Sequence, residues 1–236
     1  MKNLIQTIKN IFKIEDLRIR ILNTLFFLLI YRLGTHIVLP GVDPEQLANL
    51  QNQTSGGVLG LLDMFSGGAF SHSSIFALGI MPYISASIVV QLLSIAIPYF
   101  QKMQKEGESG RKRINQITRW LTVIITAFQA PGYIVNLRAQ VPSAIISVTN
   151  PDIVSPFQFW FTSILILVAG TIFVMWLGER ITDKGIGNGI SLIIMIGIIA
   201  RLPHALRDEL LSRNNQGHAA RHSDNDIRKI SDYYGR

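Results

Sequence analysis

Residues 74–93 read SIFALGIMPYISASIVVQLL, and the uncharged run they open continues to Phe100. About 20 apolar residues suffice for a helix to cross a hydrocarbon core of ~30 Å. The stretch is nevertheless not a plain anchor. Pro82 follows Gly79, and Ser85, Ser87 and Gln91 set polar groups at membrane depth. A membrane helix tolerates such residues where neighbouring helices or a water-lined cavity satisfy them. Just upstream, MFSGGAFS (residues 64–71) is apolar but broken by a glycine pair. Together the two segments read as a short half-helix, a break and a full span. That layout suits a protein that conducts or carries something.

Working outward, the 236 residues are 48% hydrophobic and only 16% charged. A soluble domain carries about 25% charged residues, so the composition indicates an integral membrane protein. The absence of cysteine excludes a disulfide framework and a thiolate metal site. Residues 1–18 place Leu4, Ile5, Ile8, Ile11 and Phe12 among lysines at helical spacing. This is an amphipathic segment along the cytoplasmic interface, not a cleavable signal. Spans are expected at about 19–39, 75–100, 120–137, 157–177 and 185–200, with the broken half-helix at about 57–71. The expected fold is therefore all-α, a five-span helical half-bundle. Five Lys and Arg lie up to Arg20, six in residues 101–119 and two in the connection 178–184, GERITDK. Residues 21–100 hold only Arg32, and the loop after the third span only Arg138. By the positive-inside rule the N-terminus and both basic loops are cytoplasmic. The net charge of +7 thus reflects topology and not the reading of nucleic acid. Residues 201–236 hold seven basic and five acidic residues and no apolar run, and read as a polar tail without a packed core.

Ile80 and Ile84 are four apart, as are Ile190 and Ile194, so each pair shares one side of its helix. If those sides face each other, four branched side chains form an apolar constriction that excludes water. The same spacing also fits isoleucines packed against lipid or a neighbouring helix. The opening GIGNG (residues 185–189) lacks the GxxxxGK[ST] phosphate-loop pattern and suits close helix packing. Arg111, Lys112 and Arg113 fit RNA, lipid headgroups, a soluble partner or simply the orientation signal. His218 and His222 are four apart without a supporting carboxylate scaffold, so no metal site is expected. No HExxH and no Ser, His and Asp arrangement gives a catalytic site, and no cofactor is implied.

These residues carry a resemblance. SIFALGIMPYISASIVVQLL is similar to the second-span signature of SecY-type protein-conducting channels, and WLGERITDKGIGNGISLII (residues 176–194) resembles their fifth-span signature. MFSGGAFS, KEGESGRKR and RLGTHIVLPGVD are similar to the bacterial branch at matching positions. The resemblance covers about residues 15–206. It implies a ten-span channel of two pseudo-symmetric halves in the bacterial cytoplasmic membrane, not an enzyme. Its partners would be SecE and SecG, with preproteins delivered by ribosomes or the SecA motor. It also implies that Ile80, Ile84, Ile190 and Ile194 belong to a pore ring. Residues 57–71, with Met64, Phe65, Ser66, Gly67 and Gly68, correspond to a plug. Ser85 and Gln129 correspond to a polar cluster at the lateral gate, and Arg180 and Lys184 lie in a cytoplasmic loop for SecA.

Beyond about Leu206 the sequence, RDELLSRNNQGHAARHSDNDIRKISDYYGR, departs from the family pattern. The expectation is therefore the amino-terminal half of a translocation channel, with a truncated, inactive or regulatory membrane fragment that sequesters SecE as the alternative. A small-solute transporter ranks last, because the charge-free spans two to five offer few coordinating groups at the midplane.

Overall fold

The computed structural model describes residues 14–47, 63–149, 155–200 and 202–203. The amphipathic N-terminal stretch, the first part of the half-helix (residues 57–62) and nearly all of the polar tail lie outside the described residues. Two units divide the chain, Met1–Ile198 and Ile199–Arg236. The described residues of the second unit, 199–200 and 202–203, are helical. Everything that follows concerns the first.

Among the described residues six longer helices are α1 (Glu15–Gly34), α2 (Met81–Ala96), α3 (Pro98–Lys105), α4 (Glu108–Gln140), α5 (Pro156–Lys184) and α6 (Gly189–Ala200, of which all but the last two residues belong to this unit), beside the single helical turn Ile146–Thr149 and the 3-10 turns Pro44–Leu47 and Pro142–Ala144. No strand occurs among the described residues. Extended pairing is limited to two isolated bridges, Val38 with Ser74 and Val42 with Ile145. Helix α4 packs between α2 and α5, and α1 packs on the other side of α5.

Prolines and glycines set the helix ends, and they move several boundaries away from those expected. The uncharged run at 75–100 is not one helix. Residues 75–80 form consecutive turns, with Gly79 at φ +54°. Helix α2 starts only at Met81, with Pro82 in its first turn, where a missing N–H costs nothing. It ends at Ile97, held extended (ψ 121°) in front of Pro98, as a residue before proline prefers. Helix α3 then leaves at 99°. The charged stretch 101–119 is not a loop either. Apart from a turn at Glu106 and Gly107, where Gly107 adopts φ +72°, it belongs to α3 and α4. Lys, Arg, Glu and Gln are good helix formers, so charge marks exposure here and not irregular backbone. For the same reason GERITDK, expected as a connection, forms the last two turns of α5, and the turn proper is residues 185–188.

Among the described residues two helices, α4 and α5, are long and apolar enough to cross a membrane, or three crossings if the bent pair α2–α3 counts as one. Helix α1 has 20 residues, but every 18-residue window of it holds at least three charged side chains. Helix α6, at 12 residues, is too short to qualify by length. Pro131 lies inside α4 without ending it.

The α5–α6 connection explains the glycines of GIGNG. A Cβ on Gly189 would collide with the Gly178 carbonyl, and one on Gly185 with Thr24 Oγ1. Thr24 Oγ1 in turn accepts from the Ile186 N–H at 3.1 Å. Asn188 Oδ1 accepts from the N–H groups of Ile190 and Ser191 at 3.0 and 3.3 Å, capping α6. Gly185 and Gly189 thus serve close packing, while Gly187, with nothing within 4 Å of a Cβ, serves the turn through its φ of +70°.

Candidate functional site: an apolar isoleucine cluster beside a polar groove

The turns that replace the first part of the expected second span place Ile80 at the N-cap of α2, one turn before Ile84. Helix α6 carries Ile190 and Ile194. All four belong to one apolar cluster, built with Leu177 and Ile181 of α5, Leu28 of α1 and Phe76. Ile80 is buried at 2% exposure, and Ile84, Ile190 and Ile194 are half-buried. A half-bundle on its own is expected to leave Ile80 and Ile190 facing lipid or a vacancy, but the chain's own residues cover Ile80 fully and Ile190 in part. Ile193 is also fully buried in this cluster. The sequence reading missed it, although it sits three residues from Ile190 on the same side of α6.

Next to Ile80 lies the turn of residues 63–73. Only Asp63, Met64 and Phe65 are helical. Gly67 and Gly68 adopt φ +66° and +92°, a left-handed conformation that favours glycine. Met64 is exposed, whereas Ser66, Gly67 and Gly68 are buried. Side chains from two other elements tie this turn down. From α1, the Tyr31 hydroxyl donates to the Ser66 carbonyl at 3.3 Å and Arg32 Nη1 to the Gly67 carbonyl at 2.9 Å. From α4, the Tyr133 hydroxyl lies 2.9 Å from the Phe70 carbonyl and 3.2 Å from Ser73 Oγ. Within the turn, Asp63 Oδ1 accepts from the Ser71 N–H at 2.8 Å. Beyond the end of α1, His36 packs edge to face on His72 at 6.1 Å between ring centroids.

Between α2 and α4 runs a groove of about 310 Å³. Ser85 and Gln129 both line it, so the structure brings this expected pair together. Asn136 lines it as well and was not singled out from the sequence. The signal was available, since Gln129, Gly132, Tyr133 and Asn136 follow the i, i+3, i+4, i+7 spacing of one helix face.

Arg180 and Lys184 lie on the last turns of α5 and not on a loop. The Arg180 guanidinium sits 5.4 Å from the centroid of the Trp176 ring. A second feature had no local signal. Arg119 of α4 and Glu179 of α5, 60 residues apart, form a two-pronged ion pair at 2.7 and 2.8 Å. The partners are 44% and 23% exposed, so solvent screens the pair and a modest contribution is expected. A double-mutant cycle of Arg119→Ala and Glu179→Ala, followed by thermal unfolding in detergent, should return a coupling of about 1 kcal/mol or less that shrinks with added salt. Among the described residues no group of three or more His, Asp or Glu is placed to hold a metal ion.

The arrangement joins an apolar cluster, a tethered turn at one end of it and a groove with amide and hydroxyl groups along its side. Comparison with known proteins agrees with the two signatures that flank the cluster. The SecY family model matches residues 74–229, running past the point at which the motif resemblance stops. The protein translocase subunit SecY of Buchnera aphidicola subsp. Schizaphis graminum is 49% identical over 208 residues, covering 87% of this chain and 46% of the relative. The Escherichia coli K12 protein of the same name is 48% identical over 191 residues, with 81% and 42% covered. That of Aquifex aeolicus is 46% identical over 201 residues, with 84% and 46% covered. The chain thus spans a little under half the length of these relatives. Sequence motifs, helical architecture and family match converge: the chain belongs to the SecY family.

Proposed function

We propose that this chain supplies the amino-terminal half of a protein-conducting channel in the bacterial cytoplasmic membrane, with its N-terminus in the cytoplasm. On this reading α1, the bent pair α2–α3, α4, α5 and α6 are five crossings. The observation that carries the proposal is the convergence of Ile80, Ile84, Ile190 and Ile194 from two helices on one apolar cluster. A channel for unfolded chains needs a seal that grips no particular side chain. An apolar ring meets that need, because it dewets when empty and yields around any sequence. The turn at residues 63–73, seated beside Ile80, acts as the plug. The groove between α2 and α4 is this half's share of the lateral gate, where an apolar signal helix enters. SecE and SecG are the expected membrane partners, and the ribosome or SecA the source of preproteins. Arg180 and Lys184, at the exposed end of α5, are this half's candidate contact for SecA.

Ser85 and Gln129 give this reading a mutational handle. Replacing both with Leu removes polar groups that a signal helix must displace, and stabilises the closed contact between α2 and α4. Export of preproteins with weakly hydrophobic signals should fall about tenfold while strong signals are little affected. Equal export of both classes would count against the gate assignment.

The proposal is tested by expressing the 236-residue chain in a bacterium depleted of SecY, with and without the remaining half as a separate polypeptide. Rescue that requires the second half is the expected result. Absence of rescue in both cases, with the protein present in the membrane, would favour an inactive or regulatory fragment that binds SecE.

A further inference from the structure

The turn beside the isoleucine cluster meets an α1 side chain and the α6 backbone at a single residue. Arg32 Nη1 donates to the Gly67 carbonyl at 2.9 Å. A Cβ added to Gly67 would sit 2.9 Å from the Cα of Gly197 in α6 and 3.5 Å from the same Arg32 Nη1, so both neighbours lie on one side of the residue. Gly197 is equally tight, since its own Cβ would lie 3.0 Å from the Phe65 carbonyl. Backbone therefore touches backbone with no side chain between them, and nothing but fit holds that contact. Ser66 meanwhile approaches the turn that leads into α2, with its Cβ 3.6 Å from where a Gly79 Cβ would be.

Arg32 is an unusual residue to find here. It is a half-buried cation on a helix whose neighbouring faces are apolar, and such a group in a membrane is costly unless its donors are satisfied. The two salt bridges among the described residues, Arg20 with Asp16 and Arg119 with Glu179, lie elsewhere. The recorded partner of Arg32 is a neutral backbone carbonyl. A cation donating to a carbonyl makes a stronger hydrogen bond than a neutral donor does, and here it draws Gly67 toward the side on which Gly197 lies.

We propose that Arg32 is a positioning residue for the turn: its bond to the Gly67 carbonyl holds residues 63–68 against Gly197 and so keeps the Gly79 end of the isoleucine cluster covered. Calling that cover a seal rests on the channel reading, but the docking does not. Tyr31, one residue earlier, makes a longer bond of 3.3 Å to the Ser66 carbonyl and acts as a secondary tether.

The absence of cysteine allows a direct test in membrane vesicles holding the full chain. Ser66→Cys, at a buried position, reports docking through its rate of labelling by a membrane-impermeant maleimide. Ala144→Cys, fully buried in the separate cluster with Leu137 and Ile145, reports general loosening. Arg32→Met should speed labelling at Ser66→Cys roughly tenfold and leave Ala144→Cys unchanged. Arg32→Lys, which keeps the charge and a donor, should recover most of the protection. The proposal fails if Arg32→Met leaves the Ser66→Cys rate unchanged, if both reporters speed up equally, or if Lys protects no better than Met. Failure of the channel reading would leave these rates as expected, because labelling reports docking and not transport.

Discussion

Replacing Gly189 with valine is expected to prevent the chain from accumulating as a folded membrane protein. The Cβ alone collides with the Gly178 carbonyl and would stand 2.7 Å from the Ile181 Cβ. Neither obstacle is the free end of a flexible side chain, so α6 must move as a whole. Moving it breaks the 2.9 Å bond from the Gly189 N–H to Thr182 Oγ1 and opens the cluster around Ile193. Overpacking of this kind costs about 3 kcal/mol, a large part of the 5–15 kcal/mol typical of a folded domain. Protease resistance and thermal unfolding in detergent measure it. Gly132→Ala is the contrasting control, because nothing lies within 4 Å of a Cβ there. It should be neutral or stabilising by up to ~1 kcal/mol, since alanine is the better helix former.

The second large effect belongs to the channel reading. With the remaining half supplied, Ile84→Asn should raise the ion permeability of resting vesicles about tenfold, while Ile84→Leu should not. The side chain is half-buried in the isoleucine cluster. An amide there binds water, and a constriction that closes by dewetting fails once a single polar group wets it. Leucine keeps the apolar area and nearly the same volume. Collapse of an imposed ion gradient is the measurement. Equal permeability of the Asn and Leu variants would remove Ile84 from the seal.

Features set by local chemistry could be read from the sequence. The spacing of Ile80 and Ile84, and of Ile190 and Ile194, identified faces that do meet in one cluster. Ser85 and Gln129 were paired from motif alone and share one groove. GIGNG was assigned to close packing, and Gly189 lies against Gly178. What could not be read falls into two kinds. The first concerns where helices end. Charge was taken as a sign of loops at 101–119 and 178–184, but charged residues with high helix propensity extend α4 and α5 beyond the apolar core. Pro82, read as lying within one span, instead marks the start of α2, and Pro98, which was not singled out, marks the start of α3. The second concerns pairings between distant residues. Arg119 and Glu179 are 60 residues apart, and Tyr133 and Phe70 are 63 apart. No periodicity links such positions, because packing of whole helices brings them together. The tethers on residues 63–73 are of this second kind, since Tyr31 and Arg32 each reach a carbonyl 35 residues away.

Site-specific photocrosslinking of an arrested preprotein tests the central claim most directly. A photoreactive residue is placed at Ile84 or Ile194, and for comparison at Ile95, which is 74% exposed on α2. The membranes also contain the remaining half of the channel. The account predicts adducts with the translocating chain from Ile84 and Ile194 and none from Ile95. Adducts from Ile95 at equal yield, or none from the two cluster positions while translocation proceeds, would contradict it.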